Sequence, residues 1–231
     1  MVTLLGVTGC GDSGDGGDDK AGKSPAPSAA PAAALTEAEL KAVAFTDGEK
    51  VGAYTAHEYV LDGLLSDGYT ATPAVCQPLV SLAGDVSDHD PAAQVQRRVE
   101  VPDEMLGVMV DVTLRSYGNG GAEKVMQSLR KAGRACAGGL TEERAIARAR
   151  YVKVEPTGLP AFADEADEAR AYRFTLLDVK DRTKLYEYLT VVRVGSTTLA
   201  FRGEALDTKD IGGVPQDIMA AQWKKFRAGR A

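Results

Sequence analysis

The hydrophobic period changes at Gly118, and this constrains the fold of the chain more than any other feature. Before it, over residues 107–117, Val108, Val110, Val112 and Leu114 alternate with Met109, Asp111, Thr113 and Arg115. That is the period of a half-buried strand. After the glycine-rich break at 118–121, Ala122, Val125, Met126, Leu129, Ala132 and Cys136 fall on one helical stripe. A strand and a helix that each carry one apolar face must bury those faces against each other or against further elements. The chain is therefore committed to a layered fold containing both.

The flanking segments extend this pattern. Residues 35–43 read as a short helix, with Thr36 and Glu39 spaced as a capping box. Over 51–65 neither period prevails. Thr72 and Pro73 open a second helix carrying Val75, Cys76, Leu79, Leu82 and Ala83, which ends at Gly84. Pro78 removes a hydrogen bond there and either kinks that helix or delays its start. Residues 85–93 form a polar loop, and 95–101 alternate weakly. Further strands are expected at 151–154 and at 171–177, where Tyr172, Phe174 and Leu176 share a face. Residues 185–194 and 197–205 flank Gly195-Ser196, a two-residue connection suited to a type II′ hairpin. Pro215 starts a last helix with Met219, Trp223 and Phe226 on its apolar stripe and Lys224, Lys225 and Arg227 toward its end. Strands joined by short turns imply an antiparallel sheet. The expected class is α+β, with helices packed mainly on one face of the sheet. No apolar run is long enough for a membrane-spanning helix.

Little in the sequence suggests catalysis. His57 and His89 are the two histidines, and neither lies near a Gly-x-Ser-x-Gly elbow. Asp85, Asp88, His89 and Asp90 have ligand-like density but match no calcium loop, and Asp90-Pro91 reads as turn chemistry. Tyr186 and Tyr188 share a strand face and could line a groove, but core packing or cross-strand pairing is the better explanation of them. Strand 108–114 could floor an apolar pocket or simply be core. No catalytic residue, metal or cofactor is expected. The net charge is −6, and it becomes −4 without the four aspartates and two lysines of residues 11–34. That balance argues against a nucleic-acid footprint, which needs a clustered basic face.

The amino terminus places the chain in a compartment. Val7-Thr8-Gly9-Cys10 resembles the bacterial lipobox, whose cysteine thiol is acylated and becomes the new first residue. Residues 11–34, GDSGDGGDDKAGKSPAPSAAPAAA, cannot bury enough apolar area to offset the entropy of ordering, and they have the composition of a flexible linker. Residues 1–9 are read as the remnant of a signal peptide whose true start lies upstream, since no basic residue precedes Val2–Val7. Residues 10–35 are read as the lipidated cysteine and its tether, and 36–231 as a single extracytoplasmic domain. Lipidation of Cys10 leaves Cys76 and Cys136 as a pair, either two buried thiols or a disulfide. Their positions on the apolar faces of two helices favour the disulfide, which would close a loop worth about 4 kcal/mol.

A further resemblance rests on Cys76, on residues 120–136 and on residues 214–228. The layout is similar to actinobacterial cell-envelope lipoproteins related to the extracellular sensor domain of mycobacterial serine/threonine kinases. That family implies a second disulfide, and a tryptophan shortly before the second helix cysteine. This chain has cysteines for only one bridge and reads Lys131-Ala132-Gly133-Arg134-Ala135-Cys136 at that place. The resemblance implies a non-catalytic, sensor-like module at the cell membrane with an unknown small-molecule or protein ligand. Two alternatives stand beside it. One is a carrier of a lipid or other apolar ligand, and the other is a structural envelope protein that binds a protein partner.

Overall fold

The computed structural model describes residues 33–59, 69–82, 89–100, 108–144, 147–178, 183–205 and 208–230. Cys10 and nearly all of its tether, residues 60–65 of the ambiguous segment, and Asp85 and Asp88 lie outside them.

The helix expected after Gly118 determines the topology. Strand β5 (Val108–Ser116) lies near the middle of the sheet, and helix α3 (Gly121–Ala135) carries the chain from it across one face. The chain then returns strand by strand: β6 (Leu140–Arg144), β7 (Ala147–Pro156), β8 (Glu168–Leu177), β9 (Lys184–Val194) and β10 (Thr197–Ala205). Each pairs antiparallel with the next, and β10 closes onto β5 with Leu199 opposite Leu114 and Phe201 opposite Val112. On the other side of β5 lie β4 (Ala93–Glu100), β2 (Tyr54–Glu58) and β1 (Lys50–Val51). Strand β3 (Thr70–Thr72) pairs with β6 at the far edge. Among the described residues this is one ten-stranded antiparallel sheet, so the class is α+β as the sequence implied.

Strand alternation produces two cores. Leu199 and Phe201 face one way with Val110, Val112 and Leu114, beneath Leu40 and Val43 of α1 (Glu37–Val43) and Ile218, Trp223 and Phe226 of α4 (Gln216–Ala228). Ala200 faces the other way with Leu189, Val191, Tyr172 and Phe174, beneath Leu79 of α2 (Gln77–Ser81) and Val125, Met126 and Leu129 of α3. The two helices assigned to the cysteine pair do share a face; α1 and α4 occupy the opposite one.

Local chemistry explains most boundaries. Thr36 and Glu39 form the expected capping box of α1. Pro78 sits in the first turn of α2, where its missing N–H is not needed, so the helix starts late, behind a 3₁₀ turn at Ala74–Cys76. Gly195 has φ 56° and carries the turn between β9 and β10, as a type II′ hairpin requires. Gln222 is fully buried between α4 and the end of α1, where its side chain donates to the Val43 carbonyl at 2.7 Å and accepts from the Phe45 amide at 3.1 Å. The described chain begins anchored to the sheet. Ser196 Oγ donates to the Ala33 carbonyl, and the Leu35 amide donates to Ser116 Oγ, both at 2.8 Å.

Candidate ligand-binding groove

Cys76 and Cys136 form a disulfide, with Cα atoms 5.9 Å apart and both residues buried. The bridge joins the start of α2 to the end of α3 and holds both against the sheet. The other residues singled out in the sequence do not converge. His57 Nδ1 lies 3.6 Å from Asp47 Oδ1 in an exposed pair, far along the chain from half-buried His89. Among the described residues no group of three or more His, Cys, Asp or Glu could hold a metal ion. The Tyr188 hydroxyl donates to Asp210 Oδ1 at 2.7 Å and accepts from the Ile211 amide at 2.9 Å. Burial and then the Asp210 carboxylate push its pKa up to about 12. Tyr188 is therefore a core residue that pins the segment before α4. Tyr186, half-buried on the same face, packs beside the Arg173 guanidinium.

A buried polar cluster lies between α2 and the sheet. The Tyr151 hydroxyl lies 3.0 Å from Glu142 Oε2 and 2.9 Å from Glu187 Oε2, and Arg202 reaches Glu187 at 2.8 Å and Glu204 at 3.0 Å. A phenol carries one proton, so a proton on one of the carboxyls is needed to complete both contacts. Burial holds the Glu187 carboxyl above the ordinary carboxylate range, which fits this arrangement. The void here is about 10 Å³, room for one water and not for a ligand.

A place that can accept a ligand lies on the outer flank of α3, where the helix meets the start of β8 and the segment after β7. A groove of about 400 Å³ opens there. Pro156, Leu159, Ala169 and Ala171 supply apolar lining, and Arg130, Arg134 and Arg170 bring three guanidinium groups. Arg130 and Arg134 are one helical turn apart on α3, so they share a face. Neither has an acidic partner among the described residues. Arg170 is countered by Glu168 at 3.1 Å, and its Nε is buried without a hydrogen-bond partner. Tyr172 lies between them. Burial raises its pKa, the Glu168 charge adds to that rise and the Arg170, Arg134 and Arg130 charges oppose it, while the hydroxyl itself lies 3.5 Å from the Leu129 carbonyl. Gly133 allows this packing, because a Cβ there would meet the Tyr172 ring at 2.4 Å. Leu159 is half exposed, and with Ile211 it is one of two exposed large apolar residues among those described.

The fold is similar to the extracellular domain of PknH from Mycobacterium tuberculosis. The match has a TM-score of 0.57 and covers 86% of this chain and 98% of that domain, at 11% identity. Identity this low establishes a shared fold only. The resemblance carried by Cys76, residues 120–136 and residues 214–228 points to this architecture. A second solved structure, the Rv0999 ortholog from Mycobacterium smegmatis, matches at a TM-score of 0.36 and 13% identity over 76% of this chain and 90% of its own. No protein-family model matches the chain, and no curated protein matches its sequence. No described helix is long and apolar enough to cross a membrane.

None of the groove arginines stood out in the sequence. The available signal was the Arg130–Arg134 spacing, which ordinarily marks a solvated helix face. Arg170 and Leu159 come to it only through the pairing of β7 with β8.

Proposed function

We propose that this chain is an extracytoplasmic lipoprotein, acylated on Cys10, whose tether presents residues 36–231 as a non-catalytic, sensor-like binding module. The groove beside α3 is its ligand seat, and that groove is the observation that carries the reading. It combines an apolar lining, a volume within the range of about 300–1,000 Å³ common to ligand sites, and three arginines of which only Arg170 has an acidic partner among the described residues. Similarity in fold to an extracellular domain supports the same compartment, as does a disulfide that persists only under oxidising conditions. The groove also meets the volume that a carrier of apolar ligands needs, but three arginines around it are a poor match for uncharged cargo.

The anchoring is tested by expressing the gene with its own upstream sequence and measuring intact mass and detergent-phase partitioning. The expected result is an acyl mass increment and a detergent-phase protein, both lost in Cys10→Ala. An unmodified wild-type chain in the aqueous phase overturns the reading.

A further inference from the structure

We infer that the groove binds an anionic head, phosphate or carboxylate, carried on a small apolar body. The inference rests on the reading of the groove as the ligand seat and adds the chemistry of what it holds. Arg130, Arg134 and Arg170 line one groove with Tyr172, and among the described residues Glu168 is the one acid in an ion pair with any of them. Like charges at i and i+4 destabilise a helix, so the Arg130–Arg134 pair is a local cost to α3. The negative end of the α3 dipole favours Arg134, which lies in the last helical turn. It does not account for Arg130, a full turn earlier, or for Arg170, on a strand.

Guanidinium groups match this ligand class in shape as well as charge. Each presents a planar fork that can bond phosphate or carboxylate oxygens bidentately. Arg170 Nε, buried without a partner, is a donor already lacking an acceptor. Beside these donors, Ala169, Ala171, Pro156 and exposed Leu159 offer an apolar lining that a bare anion would leave uncovered. Cationic donors adjoining an apolar lining select a ligand with an anionic end and an apolar end. The volume limits the apolar part to a short chain or a ring.

The test is calorimetric titration of the full chain with hexyl phosphate, hexanoate, inorganic phosphate and hexanol. Hexyl phosphate or hexanoate should bind more tightly than inorganic phosphate and hexanol, and the stronger of the two identifies the head. Replacing Arg130, Arg134 and Arg170 together by Gln should weaken that binding at least about tenfold. Leu159→Ser should weaken hexyl phosphate while leaving inorganic phosphate unchanged. Circular dichroism confirms that the variants fold. Equal binding by the triple variant, or no binding of any probe at low-millimolar concentration, overturns the inference. Hexanol binding as tightly as hexyl phosphate also overturns it while leaving the groove as a ligand seat. Lipid attachment at Cys10 is decided separately by mass.

Discussion

Removing the disulfide is the perturbation whose size the structure fixes best. The bridge spans a sequence separation of 60 residues. In the chain-entropy treatment, a loop of that length takes about 14 cal/mol/K from the unfolded ensemble, or about 4.3 kcal/mol at room temperature. Both cysteines are buried, so Cys76→Ala/Cys136→Ala also removes two sulfur atoms from packed surroundings, at about 0.8 kcal/mol each by analogy with a methylene. The combined loss of about 5–6 kcal/mol rivals the whole stability of a marginal domain. Helix α2 should be the first element affected, since its five residues are far too few to hold a helix without tertiary support. Urea unfolding of the wild type and the double variant reads the total. Native-state hydrogen exchange reads the distribution, with α2 amides losing protection before those of α1 and α4 on the opposite face. A loss below about 1.5 kcal/mol, or loosening that is uniform across both faces, refutes the reasoning that the bridge chiefly constrains the unfolded chain and locally secures α2.

Gly133→Ala should force the Tyr172 ring toward the groove. Repacking costs about 1–3 kcal/mol, against a helix-propensity gain of about 1 kcal/mol, so the variant should be no more stable than wild type and should bind groove ligands less well. A clear rise in melting temperature contradicts this. Thr36→Ala breaks the capping box in which Thr36 Oγ1 accepts from the Glu39 amide at 3.3 Å, and it should cost about 1 kcal/mol in chemical denaturation. A change within error shows that α1 does not need its cap. Burial raises the Glu187 pKa, so the folded state keeps a proton that the unfolded chain has already released. This group's contribution to stability therefore falls as pH climbs from about 4.3 through the raised value. Glu187→Gln cannot titrate, so the stability difference should shift in the variant's favour across that window. A difference that stays constant from about pH 4 to pH 7 counts against the assignment.

Elements with a strong period and clear ends were legible in the sequence. The alternation of β5, the stripe of α3, the Gly195 turn and the capped start of α1 all follow from local residue chemistry, and the structure places them within a residue or two of expectation. The short edge strands were hidden for a physical reason. Strand β6 reads Leu140-Thr141-Glu142-Glu143-Arg144, and its inward positions are Leu140 and Glu142. A buried glutamate held by Tyr151 and Arg144 looks in sequence like a solvent position, so the period-2 signal disappears. Strands β1 and β3 are two and three residues long, too short to show any period. The distribution of helices over two faces was hidden because it depends on which way α3 crosses the sheet, which no local signal records. The groove was hidden because its parts lie some 40 residues apart, on α3 and on β8, and meet only through the fold.

The two charge clusters of the α2–α3 face differ in what they ask of the protein. Around Tyr151, Glu142, Glu187 and Glu204 are matched by Arg144 and Arg202, and the hydrogen bonds connect into one network. Such a cluster costs desolvation and leaves Arg202 Nε buried without a hydrogen-bond partner, and what it gives the fold is a particular register of β6, β7, β9 and β10. Around Tyr172 the charge balance is reversed, with three arginines lining the groove and, among the described residues, one glutamate paired with them. Replacing Arg130 with a neutral residue would relieve its like-charge contact with Arg134, while Arg170 is offset in part by its ion pair with Glu168. Places where local choices oppose the fold are where function is expected to act. On that argument the enclosed network, with a void of only about 10 Å³, should tolerate no ligand, while neutralising the arginines should stabilise the isolated domain slightly even as it abolishes anion binding. Urea unfolding of the triple glutamine variant reads that trade directly, and a variant that is markedly less stable would move the three arginines from the ligand's side of the argument to the fold's.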